Sequence, residues 1–179
     1  MQDRSDRGWS LAAVEQYARH YVEDVDFTIS ARVDRIERRP DGYAVFDYKT
    51  GTPPSIEMLK VGFDVQLPLT AVMVENGAFK DLPKGDVRTL AYVKVRGLGD
   101  GVKEEARTSP DHKKGLTSEE YAANALETFM ALVKAFDDPN TAYHSQPRIQ
   151  YTHDYGAYDD LARRAEWQQL GNDGGSHER

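Results

Sequence analysis

Cysteine is absent from the 179-residue sequence. Its absence excludes disulfides, thiolate zinc sites and cysteine nucleophiles, and we therefore expect no iron–sulfur cluster in this protein. Basic residues are also outnumbered: 23 Lys and Arg stand against 30 Asp and Glu, which gives a formal net charge of −7. A polyanionic partner would therefore have to be held by a local patch or through metal ions.

Long hydrophobic runs are missing as well. No apolar segment approaches the ~20 residues that a membrane helix needs, and the N-terminus (MQDRSDR) is too polar for a signal peptide. We therefore expect no membrane partner and a cytoplasmic location. Hydrophobic residues still make up 39% of the chain, which is enough to build the core of one domain.

The pattern of apolar residues predicts an alternation of helices and strands. Helical spacing predicts four helices: 10–21, 64–75 (capped by Asp64), 118–136 (opened by a capping box at 117–120) and 158–170. Alternation predicts three strands: 27–34, 43–49 and 87–95. The glycine-rich, charged segment 97–116 is predicted to be a loop. This order predicts a mixed α+β domain (α/β in the broad sense), with a central mixed sheet flanked by helices.

The first two predicted strands form a hairpin around the turn at 40–42, and this hairpin carries acidic and basic side chains. Asp47 and Lys49 are two residues apart and leave the same face of their strand. A loop of two or four residues would bring Asp34 opposite or diagonal to Asp47, whereas a three-residue loop would turn it to the other face. The alternate residues of the second strand are predicted to face the core: Ala44, Phe46 and Tyr48.

Two aspartates and a lysine on one sheet face have a chemical meaning. Neighbouring carboxylates repel each other, and a divalent cation such as Mg²⁺ relieves that repulsion because it prefers oxygen ligands. A bound metal activates water and stabilises a phosphate transition state, and a lysine beside the water can orient or deprotonate it. The pattern favours metal-dependent phosphodiester hydrolysis. Alternatively, Asp47 and Lys49 form an ordinary solvated ion pair.

Longer stretches of sequence carry a resemblance to a known family. Residues 31–37 (ARVDRIE) resemble the G-x-x-D-R-I-D block of RecB-like nucleases in the PD-(D/E)xK superfamily, and residues 47–51 (DYKTG) match their D-Y-K-T-G block. Residues 66–69 (QLPL) lie where that family has its glutamine helix. Residues 155–167 (YGAYDDLARRAEW) resemble the end of proteobacterial AddB chains, subunits of helicase–nuclease machines.

The resemblance implies a restriction-endonuclease-like nuclease domain over residues 9–170, preceded by a disordered or tag-like segment at 1–8 and followed by a flexible tail at 171–179. It implies an exonuclease that processes double-strand breaks for recombination. Mg²⁺ or Mn²⁺ would be the cofactor, single-stranded DNA from unwound duplex the substrate, and an AddA-like helicase subunit the partner.

By position, the resemblance implies roles for five groups. Asp34, Asp47 and the backbone carbonyl of Tyr48 would be metal ligands. Lys49 would be the catalytic lysine, and Gln66 would support Lys49 or the attacked phosphate.

Other positions leave alternatives open. Arg32 and Arg35 are candidates for gripping DNA phosphates, or for an ordinary solvated strand. The family places a histidine or glutamate ligand on a helix well upstream of the first aspartate, whereas His20 and Glu15 lie only a short way upstream here, so we expect the chain to begin after that helix. Two other functions remain open: an inactive nuclease-fold scaffold that docks a helicase, and another RecB-like or Cas4-like nuclease.

Overall fold

The computed structural model describes residues 8–95, 101–108, 113 and 115–142. The chain divides into two units, Met1–Pro139 and Asn140–Arg179, and the elements described here belong to the first. The strands are β1 (Ser10–Val22), β2 (Phe27–Arg39), β3 (Gly42–Lys49), β4 (Val87–Val95) and β5 (Val102–Ala106). The helices are α1 (Ile56–Lys60), α2 (Gln66–Glu75) and α3 (Ser118–Phe136), and a 3₁₀ turn at Glu23–Val25 joins β1 to β2.

The five strands form one sheet in the order β1-β2-β3-β4-β5. Strands β3 and β4 are parallel, whereas every other neighbouring pair is antiparallel. Helix α2 lies in the crossover that joins the two parallel strands, as such a connection requires. The predicted mixed α+β architecture, a central mixed sheet with helices, is therefore confirmed.

The hairpin of β2 and β3 has the register on which the sequence argument depends. Arg39 pairs with Gly42, so the turn holds only two residues, and the last pair at the far end joins Arg35 to Phe46. Extended by one step, the same register would place Asp34 opposite Asp47. Gly42 has a φ of 140°, and a Cβ there would collide with the carbonyl oxygen of Asp86. Glycine is therefore required where the turn passes the start of β4.

Two predicted elements are wrong. Residues 10–21 form strand β1 instead of a helix, because backbone pairing with β2 along almost the whole strand outweighs the helical spacing and helix propensity of this segment. The predicted loop 97–116 contains strand β5, a charged edge strand without apolar alternation. The capping box at Thr117 and Glu120 is confirmed at the start of α3. The predicted helix 158–170 lies outside the described residues.

The main core lies on the face of the sheet that α2 and α3 cover. It includes Val45 and Tyr43 of β3, which share their face with Asp47 and Lys49. The opposite face holds a smaller cluster of buried residues: Ala44, Phe46, Ala91 and Val93. Ala44 and Phe46 are buried as predicted, but Tyr48 is 42% exposed, so the prediction that it faces the core is wrong. The side chain of Asp47 leaves the sheet on the same face as Tyr43 and Val45, the face that carries the main core.

Within the described ranges, no helix combines the length and the apolar character needed to cross a membrane.

Candidate active site

The site lies where the parallel strands β3 and β4 end. In their register Asp47 is the neighbour of Tyr92, and Lys49 is the neighbour of Lys94. Asp47 is only 4% exposed, and its Oδ2 lies 2.9 Å from the Nζ of Lys49. A buried carboxylate held against an ammonium group is the first component of the site.

Asp34 approaches the same strand from β2. The backbone N–H of Tyr48 donates to Oδ2 of Asp34 at 2.7 Å, just where the pairing of β2 with β3 ends. The backbone of Tyr48 joins Asp47 to Lys49, so this hydrogen bond fixes Asp34 beside both of them. The structure therefore brings the two predicted aspartates together.

Gln66, the first residue of α2, joins the aspartate to the lysine. Its Nε2 donates to Oδ1 of Asp47 at 2.6 Å, and its Oε1 accepts from Nζ of Lys49 at 3.1 Å. One amide side chain thus satisfies a carboxylate and an ammonium group at once. Gln66, to which the sequence resemblance assigned the support of Lys49, is thus in direct contact with that lysine.

Two residues of the site escaped the sequence analysis. Tyr92 is fully buried, and its hydroxyl donates to Oδ1 of Asp64 at 2.9 Å. The same oxygen accepts from the backbone N–H of Gln66 at 3.4 Å. The N-cap of α2 is Val65, so the prediction that Asp64 caps this helix is wrong. No sequence signal pointed to Tyr92, because only the parallel pairing of β4 with β3 brings it here.

Burial and neighbouring charges shift the acidity of two groups. Burial raises the pKa of Asp47, which the Lys49 ammonium lowers in part and the charges of Asp34 and Asp64 raise further. Burial, together with the carboxylate of Asp64, holds the pKa of Tyr92 far above its usual range. The hydroxyl of Tyr92 therefore stays protonated and donates, whereas Asp47 needs positive charge nearby to remain ionised.

The donor set fits a hard divalent cation. Asp34 and Asp47 supply two carboxylates beside the ammonium of Lys49, and a divalent ion would offset their excess negative charge. Asp64 adds to the negative charge around Asp47, but its Oδ1 is engaged by Tyr92 and Gln66. Oδ2 of Asp47 is buried and accepts no aligned hydrogen bond from the residues described. Among those residues no group of three or more His, Cys, Asp or Glu side chains could hold a metal. Mg²⁺ commonly binds through one or two carboxylates and completes its shell with waters and substrate phosphates.

The other predicted residues lie around this centre. Arg32 forms an ion pair with Glu15 at 2.7 Å, and both side chains are more than half exposed. Glu15 has a φ of 50° and lies across from Asp34, between two regular pairs of β1 with β2. His20 pairs with Ile29, several residues away along the hairpin.

Arg35 lies on the opposite face from Asp47. Its Nη1 donates to the hydroxyl of Tyr48 at 3.3 Å, it is ion-paired with Glu37, and its guanidinium lies 5.9 Å from the centre of the Phe46 ring. The structure therefore does not bring Arg35 into the group formed by Asp34, Asp47, Lys49 and Gln66.

Comparison with known proteins agrees with this geometry. The family model of the PD-(D/E)XK nuclease superfamily matches residues 1–151 of the chain. The chain belongs to this superfamily. A search of curated proteins found no match. The resemblance inferred from residues 31–51 is thus confirmed at the level of the superfamily, whose nucleases typically use divalent metals such as Mg²⁺. The narrower likeness to AddB chains stays a prediction.

Proposed function

We propose that this PD-(D/E)XK protein is a Mg²⁺- or Mn²⁺-dependent DNA exonuclease that hydrolyses single strands. The observation that carries the proposal is the contact of one amide, Gln66, with both Asp47 and Lys49, beside Asp34, where two parallel strands end. This arrangement combines acidic oxygens for a cation with a fixed ammonium group, the two requirements for phosphodiester hydrolysis derived from the sequence.

The carboxylates of Asp34 and Asp47 and the backbone carbonyl of Tyr48 would hold the cation. When bound, the cation would lower the pKa of a water molecule and offset the charge that develops on the phosphate. The hydrogen bond from the Tyr48 N–H fixes the carboxylate of Asp34, and Gln66 fixes that of Asp47. Both acids are thus oriented by the protein before any ligand arrives.

Lys49 would act on the attacking water or on the phosphate. Its ammonium group is held between Oδ2 of Asp47 and Oε1 of Gln66. An ammonium group fixed in this way can orient a water, take part in its deprotonation, or stabilise negative charge on the phosphate oxygens. Because two groups hold the Nζ, few side-chain rotamers remain to be restricted during the reaction.

Arg32 is the better placed of the two predicted DNA-binding arginines. It lies two residues before Asp34 on β2, and its side chain is 65% exposed. Arg35 lies on the other face, and its ion pair with Glu37 is largely buried, whereas the ion pair of Arg32 with Glu15 is exposed and opens at little cost.

The cellular role we propose rests on the sequence resemblance. The segment 155–167 resembles AddB chains, so we propose a nuclease domain over 9–170 that works with an AddA-like helicase in the cytoplasm. It would degrade strands unwound at double-strand breaks. Residues 1–8 and 171–179 would lie outside this domain. The family match to residues 1–151 supports the nuclease part of the proposal.

The test combines cation binding with DNA cutting. Single-stranded DNA labelled at either end is incubated with the protein and Mn²⁺, and Mn²⁺ binding is measured separately by calorimetry. We expect cutting that starts from an end, together with one Mn²⁺ binding event, and the loss of both in Asp47→Ala. Glu75→Ala, which removes a partly buried carboxylate elsewhere on α2, is the control and should retain both. Cutting by Asp47→Ala at the wild-type rate would refute the mechanism.

An inactive scaffold is the second candidate function. It is favoured by the hydrogen bonds that the oxygens of Asp34 and Asp47 already accept, and by the lack of a three-ligand group among the described residues. A wild-type protein that neither binds Mn²⁺ nor cuts DNA would favour this function over the exonuclease.

A further inference from the structure

Tyr92 lies beneath the site and contacts several of its parts. It is fully buried on β4, and in the register of the sheet it is the neighbour of Asp47. The Nζ of Lys49 lies 5.7 Å from the centre of its ring, and the guanidinium carbon of Arg107 lies 5.2 Å from it. The ring is therefore part of the packing under the lysine, while the hydroxyl points to Asp64.

The hydroxyl of Tyr92 begins a continuous series of contacts that returns to its own ring. It donates to Oδ1 of Asp64, and that oxygen also accepts from the backbone N–H of Gln66. The side chain of Gln66 then contacts both Asp47 and Lys49, and Lys49 lies over the ring of Tyr92. We call this series, formed by Tyr92, Asp64, Gln66 and Lys49, the circuit. Each contact in it restrains the position of the next side chain.

The start of α2 makes this circuit important. The N-cap residue Val65 offers no side-chain hydrogen bond to the first turn of the helix. The first N–H groups of a helix need such partners, and the carboxylate of Asp64 is the acceptor for the N–H of Gln66. Asp64 keeps that position because the buried hydroxyl of Tyr92 donates to the same oxygen, in a hydrogen bond strengthened by the carboxylate charge.

We propose that Tyr92 is a positioning residue for the nuclease reaction: through Asp64 it fixes the first residue of α2, so that the Gln66 amide holds Lys49 against Asp47. This proposal rests on the proposed nuclease function. Tyr92 acts through its neighbours and is assigned no contact with the cation or the DNA. Loss of its hydroxyl displaces Gln66 and with it Lys49, whereas Asp34 keeps its hydrogen bond from the Tyr48 N–H and both carboxylates remain to bind the cation.

The kinetic test removes the hydroxyl and keeps the ring. Tyr92→Phe should lower kcat on single-stranded DNA by about 10- to 100-fold, the cost of misplacing a reacting group by a fraction of an ångström to one ångström. KM for DNA should not change, and Mn²⁺ should still bind because both aspartates remain. Tyr43→Phe is the matched control, because it removes another hydrogen-bonded hydroxyl, 2.9 Å from the carbonyl of Pro83, from a buried tyrosine of the same sheet. An unchanged kcat in Tyr92→Phe would overturn the proposal.

Two variants of Asp64 separate positioning from charge. Asp64→Asn keeps an oxygen that can accept from both Tyr92 and Gln66, and it should retain most of the wild-type kcat. Asp64→Ala removes that oxygen and should resemble Tyr92→Phe. If Asp64→Asn were as impaired as Asp64→Ala, the carboxylate charge would matter more than the hydrogen bonds, and the positioning role would be refuted.

A spectroscopic readout tests the circuit without any cutting. The side-chain amide resonances of Gln66 should shift in Tyr92→Phe and stay unchanged in Tyr43→Phe. Unchanged Gln66 resonances in Tyr92→Phe would overturn the inference even for an active enzyme. A wild-type protein without nuclease activity would refute the proposed function, while this measurement would still decide whether Tyr92 positions Gln66.

Discussion

The two ends of strand β4 each hold three carboxylates, yet only one of them has the arrangement from which we propose a nuclease site. One cluster lies where β3 and β4 end and consists of Asp34, Asp47 and Asp64. The other lies at the start of β4, around a cavity of about 570 Å³, and consists of Glu75, Asp86 and Glu119. In both clusters burial raises the pKa of the central acid, Asp47 in the first and Glu75 in the second.

The clusters differ in what their acids contact. Glu75 accepts a hydrogen bond from the backbone N–H of Val87 at 3.3 Å, and Asp86 is ion-paired with the half-exposed Arg88. These contacts connect α2 to the strand and balance charge locally. Asp47 instead contacts an ammonium group and an amide that also contact each other. Acidity and burial are therefore shared by both clusters, and the fixed lysine distinguishes the site.

The largest expected effect comes from removing the basic side chain of the first cluster, and the same change in the second cluster is its control. Lys49→Ala should lower the rate of cutting single-stranded DNA by at least about 100-fold, since it removes the group that positions or deprotonates the water. Arg88→Ala, at the other end of β4, should cut like the wild type. Initial rates on end-labelled DNA with Mg²⁺ measure both. If Lys49→Ala cut DNA at the wild-type rate, the fixed lysine would not distinguish the two clusters in function.

Cation binding should stabilise the protein through one cluster only. At a Mg²⁺ concentration 100 times its Kd, binding to the folded state adds ~2.7 kcal/mol to the free energy of unfolding. Asp47→Asn should lose this gain, because the buried oxygen that the cation needs is replaced by an amide. Glu75→Gln should keep it. Thermal unfolding with and without Mg²⁺ measures the gain, and an equal loss in Glu75→Gln would show that the ion binds elsewhere.

The amide that joins Asp47 to Lys49 should matter less than the lysine itself. Gln66→Ala should lower kcat by about 10- to 100-fold, because Lys49 remains present but is held by one partner fewer. The control is Gln16→Ala, which removes another hydrogen-bonded glutamine, one whose Nε2 donates to the carbonyl of Lys80 at 2.8 Å. Comparable losses of kcat in both variants would point to general destabilisation.

The smallest expected effect is a pH-dependent gain of stability at the second cluster. Burial raises the pKa of Glu75 in the folded state, so the folded protein loses stability as pH rises above the usual glutamate range and the acid ionises. Glu75→Gln cannot ionise and should be more stable than the wild type at pH 7, by about 0.5 kcal/mol or less because solvent screens the group. The difference should vanish well below pH 4. Urea unfolding at both pH values measures it, and a gain that persists in acid would contradict this cause.

The sequence was sufficient to predict the hairpin because every signal there agrees. Strand β2 alternates in polarity near its start, strand β3 is rich in aromatic and branched residues, and the glycine after Pro40 and Asp41 suits a turn that only glycine can make. Helix α3 was predictable for the same reason, since its capping box and its apolar face coincide.

The rest depended on contacts between distant parts of the chain. The segment Ser10–Val22 contains good helix formers at helical spacing, and only its pairing with β2 makes it a strand. Strand β5 carries charges on consecutive positions, as an edge strand can. Asp34, Asp47 and Lys49 could be found because their motif is local, whereas the contact of Tyr92 with Asp64 spans 28 residues and exists only through the parallel pairing of β4 with β3.

The buried guanidinium of Arg107 couples the margin of the sheet to its centre. Arg107 directly follows strand β5. Its guanidinium donates to the carbonyl of Pro54 at 2.8 Å, in the segment after Lys49, and it stacks on the ring of Tyr92. Strand β5, at the edge of the sheet, is therefore connected through Arg107 to the residues of the candidate site. Displacement of β5 would remove the contacts of Arg107 with Pro54 and Tyr92. It would loosen both the loop that follows Lys49 and the packing under that lysine, although no acidic residue would have changed.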